Sequence, residues 1–152
     1  MKVLGVNAGQ ASLWLCVVGD EGPEDTDPSS LTLLDGPVGG HALVAFHSEC
    51  ARVLSRLTPD RVVILDPEPT APLPLSSARP RFSAEAILAL AAEQAGIDCE
   101  RIARATVRSR HQLGRKGALK AHVKSVVPES AGPYWGGKRD LAALAALAVR
   151  EG

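Results

Sequence analysis

The chain has 152 residues, 45% of them apolar and 22% charged, with seventeen basic and seventeen acidic side chains. Those proportions describe one α/β-sized globular domain over 1–152, able to fold without disulfides or metal. Cys16, Cys50 and Cys99 fall in neither a CxxC nor a Cys/His spacing, which argues against a zinc module or a secreted disulfide framework and for buried thiols in a cytoplasmic protein.

From the N-terminus, the apolar run after Met1 meets Asn7 too soon to be a signal peptide or a membrane span. Lys2 to Asn7 and Ala11 to Val18 are valine-rich runs about a glycine turn, which predicts an antiparallel hairpin. Residues 19–30 hold five carboxylates, two prolines and two glycines, too polar to pack, and are expected to be an exposed loop. Leu31 to Asp35 follows as a third strand of a meander. Leu43, Val44, Phe46, Cys50, Val53, Leu54 and Leu57 recur at three- and four-residue intervals, the spacing of an amphipathic helix that Thr58-Pro59-Asp60 ends.

Arg61 to Asp66 places four apolar residues before a carboxylate, the pattern of a central strand covered on both faces. Residues 67–80 contain five prolines and are expected to be a second exposed loop. A helix capped by Ser83 should run to Gly96, and alternation from Glu100 to Val107 suggests a strand nearer the sheet edge. Lys116 to Val127 is helical in pattern, with Lys116, Lys120 and Lys124 on one outer stripe. The Leu-Ala repeats from about Lys138 to Arg150 predict a last, well-buried helix.

Charge is unevenly spread. Met1 to Thr70 carries ten carboxylates against four basic side chains, whereas Arg101 to Lys124 carries eight basic side chains and no carboxylate. Arg108, Arg110, Arg115, Lys116 and Lys120 are therefore candidates for contacts to a nucleic-acid backbone, unless the block is simply a solvated basic face. Tyr134 and Trp135, on a Gly/Pro-rich loop, could stack on a base or pack on the core or a dimer partner. No Gly-x-Ser-x-Gly elbow accompanies His41, His47, His111 or His122, and neither glycine-rich segment has a phosphate-loop or dinucleotide pattern.

Three strands, helix, strand, helix, strand, helix, helix, with Gly5-Val6-Asn7-Ala8-Gly9 closing the first strand, resembles the ribonuclease H-like superfamily, and within it the RuvC-type Holliday junction resolvases. The resemblance implies a five-stranded mixed sheet with helices on both faces. It also implies a divalent-metal-dependent nuclease, with acidic ligands for Mg²⁺ or Mn²⁺ at the carboxyl edge of the sheet. On it, Asp66 and Glu68 fall at the fourth-strand position, Asp140 at the last helix, and Asn7 where an aspartate is expected. A neutral amide offers one carbonyl oxygen and no charge, so Asn7→Asp is expected to complete a site that Mn²⁺ then stabilises. Each residue also has a plainer reading: Asn7 as a turn residue, Asp66 as a strand-end acceptor, Glu68 as a solvated carboxylate, Asp140 as a favourable charge at a helix N-terminus. The alternative function is a catalytically inactive ribonuclease H-like module that binds nucleic acid or protein, and a homodimer through the aromatics and the last helix is a further possibility.

Overall fold

The computed structural model describes residues 1–9, 11–33 and 39–151. Strands β1 (Val3–Ala8) and β2 (Ser12–Gly19) form the expected antiparallel pair, with Gly5 opposite Cys16 and Asn7 opposite Trp14. Two short strands, β3 (Gly22–Pro23) and β4 (Ser30–Thr32), both pair antiparallel with β2, at its opposite ends. On its other side β1 pairs in parallel with β5 (Arg61–Leu65), which pairs in parallel with β6 (Asp98–Ile102). The order is β3-β2-β1-β5-β6, with β4 beside β2. The Arg61 run is thus interior, as its unbroken apolar character requires, although β1 holds the middle.

Strand alternation divides the core. Leu4, Val6, Leu13, Leu15, Val17, Val62 and Ile64 point to the face covered by α1 (Gly40–Leu57) and α2 (Leu75–Gln94). Val3, Cys16, Val18, Val63 and Leu65 point to the face covered by α3 (Arg104–Arg110), α4 (Val123–Val126) and α5 (Asp140–Arg150). Among the described residues no helix is long and apolar enough to cross a membrane.

Several expectations need correction. Residues 67–80 are not all loop, because α2 begins at Leu75 and carries Pro80 inside it, so Ser83 is a helix-interior residue and not a cap. A proline so near a helix start removes the bond to the Ser76 carbonyl, and Ser76 is exposed, so water can replace that bond. The strand expected from Glu100 to Val107 ends at Ile102, and Ala103 leads into α3, which buries Val107. The helix expected over 116–127 shrinks to a 3₁₀ turn, Leu119–His122, and one turn of α4. Gly117 takes φ +78° just before it, and Leu119, Val123 and Val127 are buried. Leu31 and Thr32 are in β4 as expected, and Leu34 and Asp35 lie outside the described residues.

The 19–30 segment keeps its five carboxylates exposed, yet its backbone is tied down: buried Thr26 accepts the Val17 N–H at 2.8 Å, and Glu24 N–H donates to the Val17 carbonyl at 2.8 Å. Helix α5 is buried along almost its whole length, so the expected dimer contact through it is taken by its own sheet.

Alanines let α5 approach β1 at backbone distance, and Gly5 completes the fit. A Cβ on Gly5 would run into the Ala142 carbonyl oxygen and lie 3.1 Å from the Ala146 Cβ. Backbone cannot swing aside as a side chain can, so Gly5→Ala is expected to lower stability by about 1–3 kcal/mol. Urea unfolding of the variant checks it, and a loss under about 0.5 kcal/mol would show that α5 does not depend on this contact.

Candidate functional site

The carboxyl ends of β1 and β5 and the N-terminus of α5 meet at one edge of the sheet, where the acidic residues were expected to converge. They are not brought together. Among the described residues no group of three or more His, Cys, Asp or Glu side chains stands close enough to hold a metal ion.

Each expected ligand is engaged elsewhere. Arg101 Nη1 lies 3.5 Å from Asp66 Oδ1 and 2.6 Å from Oε2 of fully buried Glu85, which also accepts from Arg81 Nε at 3.2 Å through its other oxygen. Arg104 donates from Nε to the Asp66 carbonyl at 2.9 Å and lies 4.0 Å from Glu68. Asp140 accepts the Leu141 N–H at 2.7 Å, its helix-terminal role. Guanidinium groups thus lie beside Asp66 and Glu68, and among the described residues the acidic side chains do not gather into a donor set that fits a divalent metal. Burial opposes the charge on Arg101, but attraction to Glu85 and Asp66 outweighs it and holds its pKa above the ordinary arginine value. Burial lowers that of Arg104, helped by Arg81 and Arg108 and opposed by Glu68.

Asn7 is 4% exposed, and its Nδ2 donates to the Lys138 carbonyl at 3.0 Å. An aspartate cannot make that bond, so the amide is explained by the chain it holds rather than by a ligand it lacks. The held segment, Trp135–Arg139, is a π-type turn leading into α5. Its Arg139 is fully buried and, among the described residues, has no carboxylate partner. Nε donates to the Leu15 carbonyl at 2.6 Å, Nη1 to those of Ala131 at 2.8 Å and Pro133 at 3.1 Å, and Nη2 to that of Glu24 at 2.9 Å. Sequence reasoning missed this residue, since nothing local distinguishes a buried arginine from a surface one.

Trp135 stacks under Arg139, 5.6 Å from guanidinium to ring centre, and packs on the core. Tyr134 instead meets Trp14, ring centres 5.5 Å apart. The basic candidates also divide. Arg108 donates to the carbonyls of Gly114 and Gly117, and Arg110 to that of Ala148, so both hold chain together. Arg115, Lys116 and Lys120 are exposed. Lys120 and Lys124 line an open groove of about 550 Å³ with Trp135, Gly136, Gly137 and Asp140, beside the same edge.

Burial pushes the thiols of Cys16 and Cys99 up to about 11 and that of Cys50 to about 12, so none is a thiolate at neutral pH. His47 bonds Gln94, while His111 and His122 bond backbone carbonyls.

Neither the family models nor the curated proteins contain a match to this chain. Solved structures do. Thermus thermophilus RuvC bound to a Holliday junction substrate superposes with a TM-score of 0.70 at 19% identity, over 99% of this chain and 93% of that one. The chain has the RuvC fold. A second Thermus thermophilus RuvC structure gives 0.68 at 19% identity over 99% and 94%, and the yeast mitochondrial Holliday junction resolvase Ydc2 gives 0.61 at 15% over 98% and 76%. The ribonuclease H-like architecture expected from element order is therefore present across the chain. At its carboxyl edge this chain sets Arg101 and Arg104 beside Asp66 and Glu68.

Proposed function

We propose that this protein is a catalytically silent RuvC-fold module that binds structured or single-stranded nucleic acid through its backbone, without reading sequence. The observation that carries the reading is the carboxyl edge, where Arg101 and Arg104 engage Asp66 and Glu68 and, among the described residues, no oxygen cage for Mg²⁺ or Mn²⁺ remains. The groove beside it, with Lys120 and Lys124 on its wall, and the exposed Arg115 and Lys116 supply cations for phosphate contact. The likeness to a RuvC solved with a Holliday junction substrate supports nucleic acid over a small molecule as ligand. The nuclease reading, with Asp66, Glu68 and Asp140 as metal ligands and Asn7 as a fourth, requires those ion pairs to open. Self-association, if it accompanies binding, has the exposed apolar stripe of α2 available, with Leu75, Phe82 and Leu90.

The test is a salt titration of binding to four-way, single-stranded and duplex DNA, run with a cleavage assay in Mg²⁺ and in Mn²⁺. Binding should weaken as salt rises. The joint replacement Lys116→Ala, Lys120→Ala and Lys124→Ala should reduce the log-log slope by about one unit per lost phosphate contact. No strand should be cut. Metal-dependent cutting that Asp66→Ala abolishes would restore the nuclease reading, and binding that ignores salt would remove the backbone-contact one.

A further inference from the structure

Beside Asn7, three side chains form a cluster that the resolvase-like edge does not explain. Trp14 lies opposite Asn7 across the hairpin, and Tyr134 tilts against it at 33° with ring centres 5.5 Å apart. The Lys138 ammonium lies over both rings, 4.8 Å from the Trp14 centre and 5.5 Å from that of Tyr134. Among the described residues Lys138 has no carboxylate within ion-pair distance.

Two features separate this cluster from ordinary packing. Tyr134 is 57% exposed, so its ring is not there to fill the core, as that of Trp135 is. It also stands at φ 55°, ψ 44°, a left-handed conformation that disfavours a tyrosine by about 1–2 kcal/mol and that glycine would adopt freely. The surroundings enforce it: Arg139 N–H donates to the Tyr134 carbonyl at 3.1 Å, the Arg139 guanidinium holds the preceding carbonyls, and Asn7 holds Lys138. A strained, exposed aromatic kept in place by buried polar bonds is a presented surface.

We infer that Trp14, Tyr134 and Lys138 form a platform for one unpaired nucleobase, stacked on the open face of Tyr134, with its phosphate on Lys138; Asn7 positions the lysine. The inference rests on the nucleic-acid reading above and names its preferred substrate as strand with unstacked bases. Base-on-aromatic stacking tolerates any base, and paired bases cannot reach such a ring.

The experiment compares oligothymidine with an abasic strand of equal length, which keeps every phosphate and loses every base. Binding is read by anisotropy, and folding of each variant by thermal unfolding. Tyr134→Ala should weaken oligothymidine about tenfold and leave the abasic strand unchanged, while Tyr134→Phe should match the parent. Equal affinity of Tyr134→Ala and the parent for oligothymidine overturns the platform, as does a loss in Tyr134→Phe as large as that in Tyr134→Ala. If both strands bind alike and respond only to replacement of Lys120 and Lys124, the platform falls and the nucleic-acid reading stands. Failure of both strands to bind at low salt removes both.

Discussion

Replacing Arg139 by methionine should lower stability by about 3–5 kcal/mol, because each carbonyl oxygen left inside without its donor costs about 1–3 kcal/mol. The guanidinium touches β2, the 19–30 segment and the loop before α5 together, through the carbonyls of Leu15, Glu24, Ala131 and Pro133. Methionine fills part of the volume and satisfies none of those oxygens. Arg139→Lys should recover little, because an ammonium cannot present donors in three fixed directions. For a domain of this size the methionine variant should melt about 10 °C lower. Hydrogen exchange should accelerate at Arg139 and around Glu24 before it does in β1. A loss below about 1 kcal/mol would mean that the tie is made elsewhere.

Asn7→Asp should also destabilise, by about 3 kcal/mol at neutral pH, because it sets a buried carboxylate against the Lys138 carbonyl oxygen and removes the donor. The pH dependence follows from that contact. A protonated carboxyl can still donate to the carbonyl, so burial and the facing oxygen raise the folded-state pKa of the new group above its unfolded value near 3.9. Stability is then retained below about pH 4 and lost as pH rises through the folded-state pKa. Mn²⁺ should not restore it, because Asp66 is paired with Arg101 and Asp140 with the Leu141 N–H. Thermal unfolding from acid to neutral pH, with and without Mn²⁺, decides between this outcome and the one that the family resemblance implies. Stabilisation by Mn²⁺ specific to the variant would show that the carboxylates can still gather.

Both results bear on why the substitution at this edge is an amide. The resemblance frames Asn7 as a missing ligand, whereas its contacts make it the residue that fixes Lys138 and, through it, the turn into α5. The same replacement of role holds for Arg108 and Arg110. Both belong to the basic block that suggested phosphate contacts, and both close backbone turns instead. Lys120 and Lys124 make no such bonds among the described residues and line the groove proposed for phosphate contact.

The amino-acid sequence by itself determined the hairpin, α1, the interior strand β5 and the buried α5, because each carries a hydrophobic period that only one face or one depth of the fold can satisfy. Element order then sufficed to indicate the ribonuclease H-like arrangement. Tertiary structure alone decided where α2 begins, since five prolines read as loop until the helix face carrying Ala84, Leu88 and Ala91 is seen against the sheet. It alone decided the state of the carboxyl edge as well. Asp66 and Glu68 are visible as carboxylates in the chain, but their partners, Arg101 and Arg104, are set by strand register and helix placement. Local sequence carries the period of an element; it does not carry which charges from distant elements will be a few ångströms apart, and that separation determines whether a carboxylate is a metal ligand or half of an ion pair.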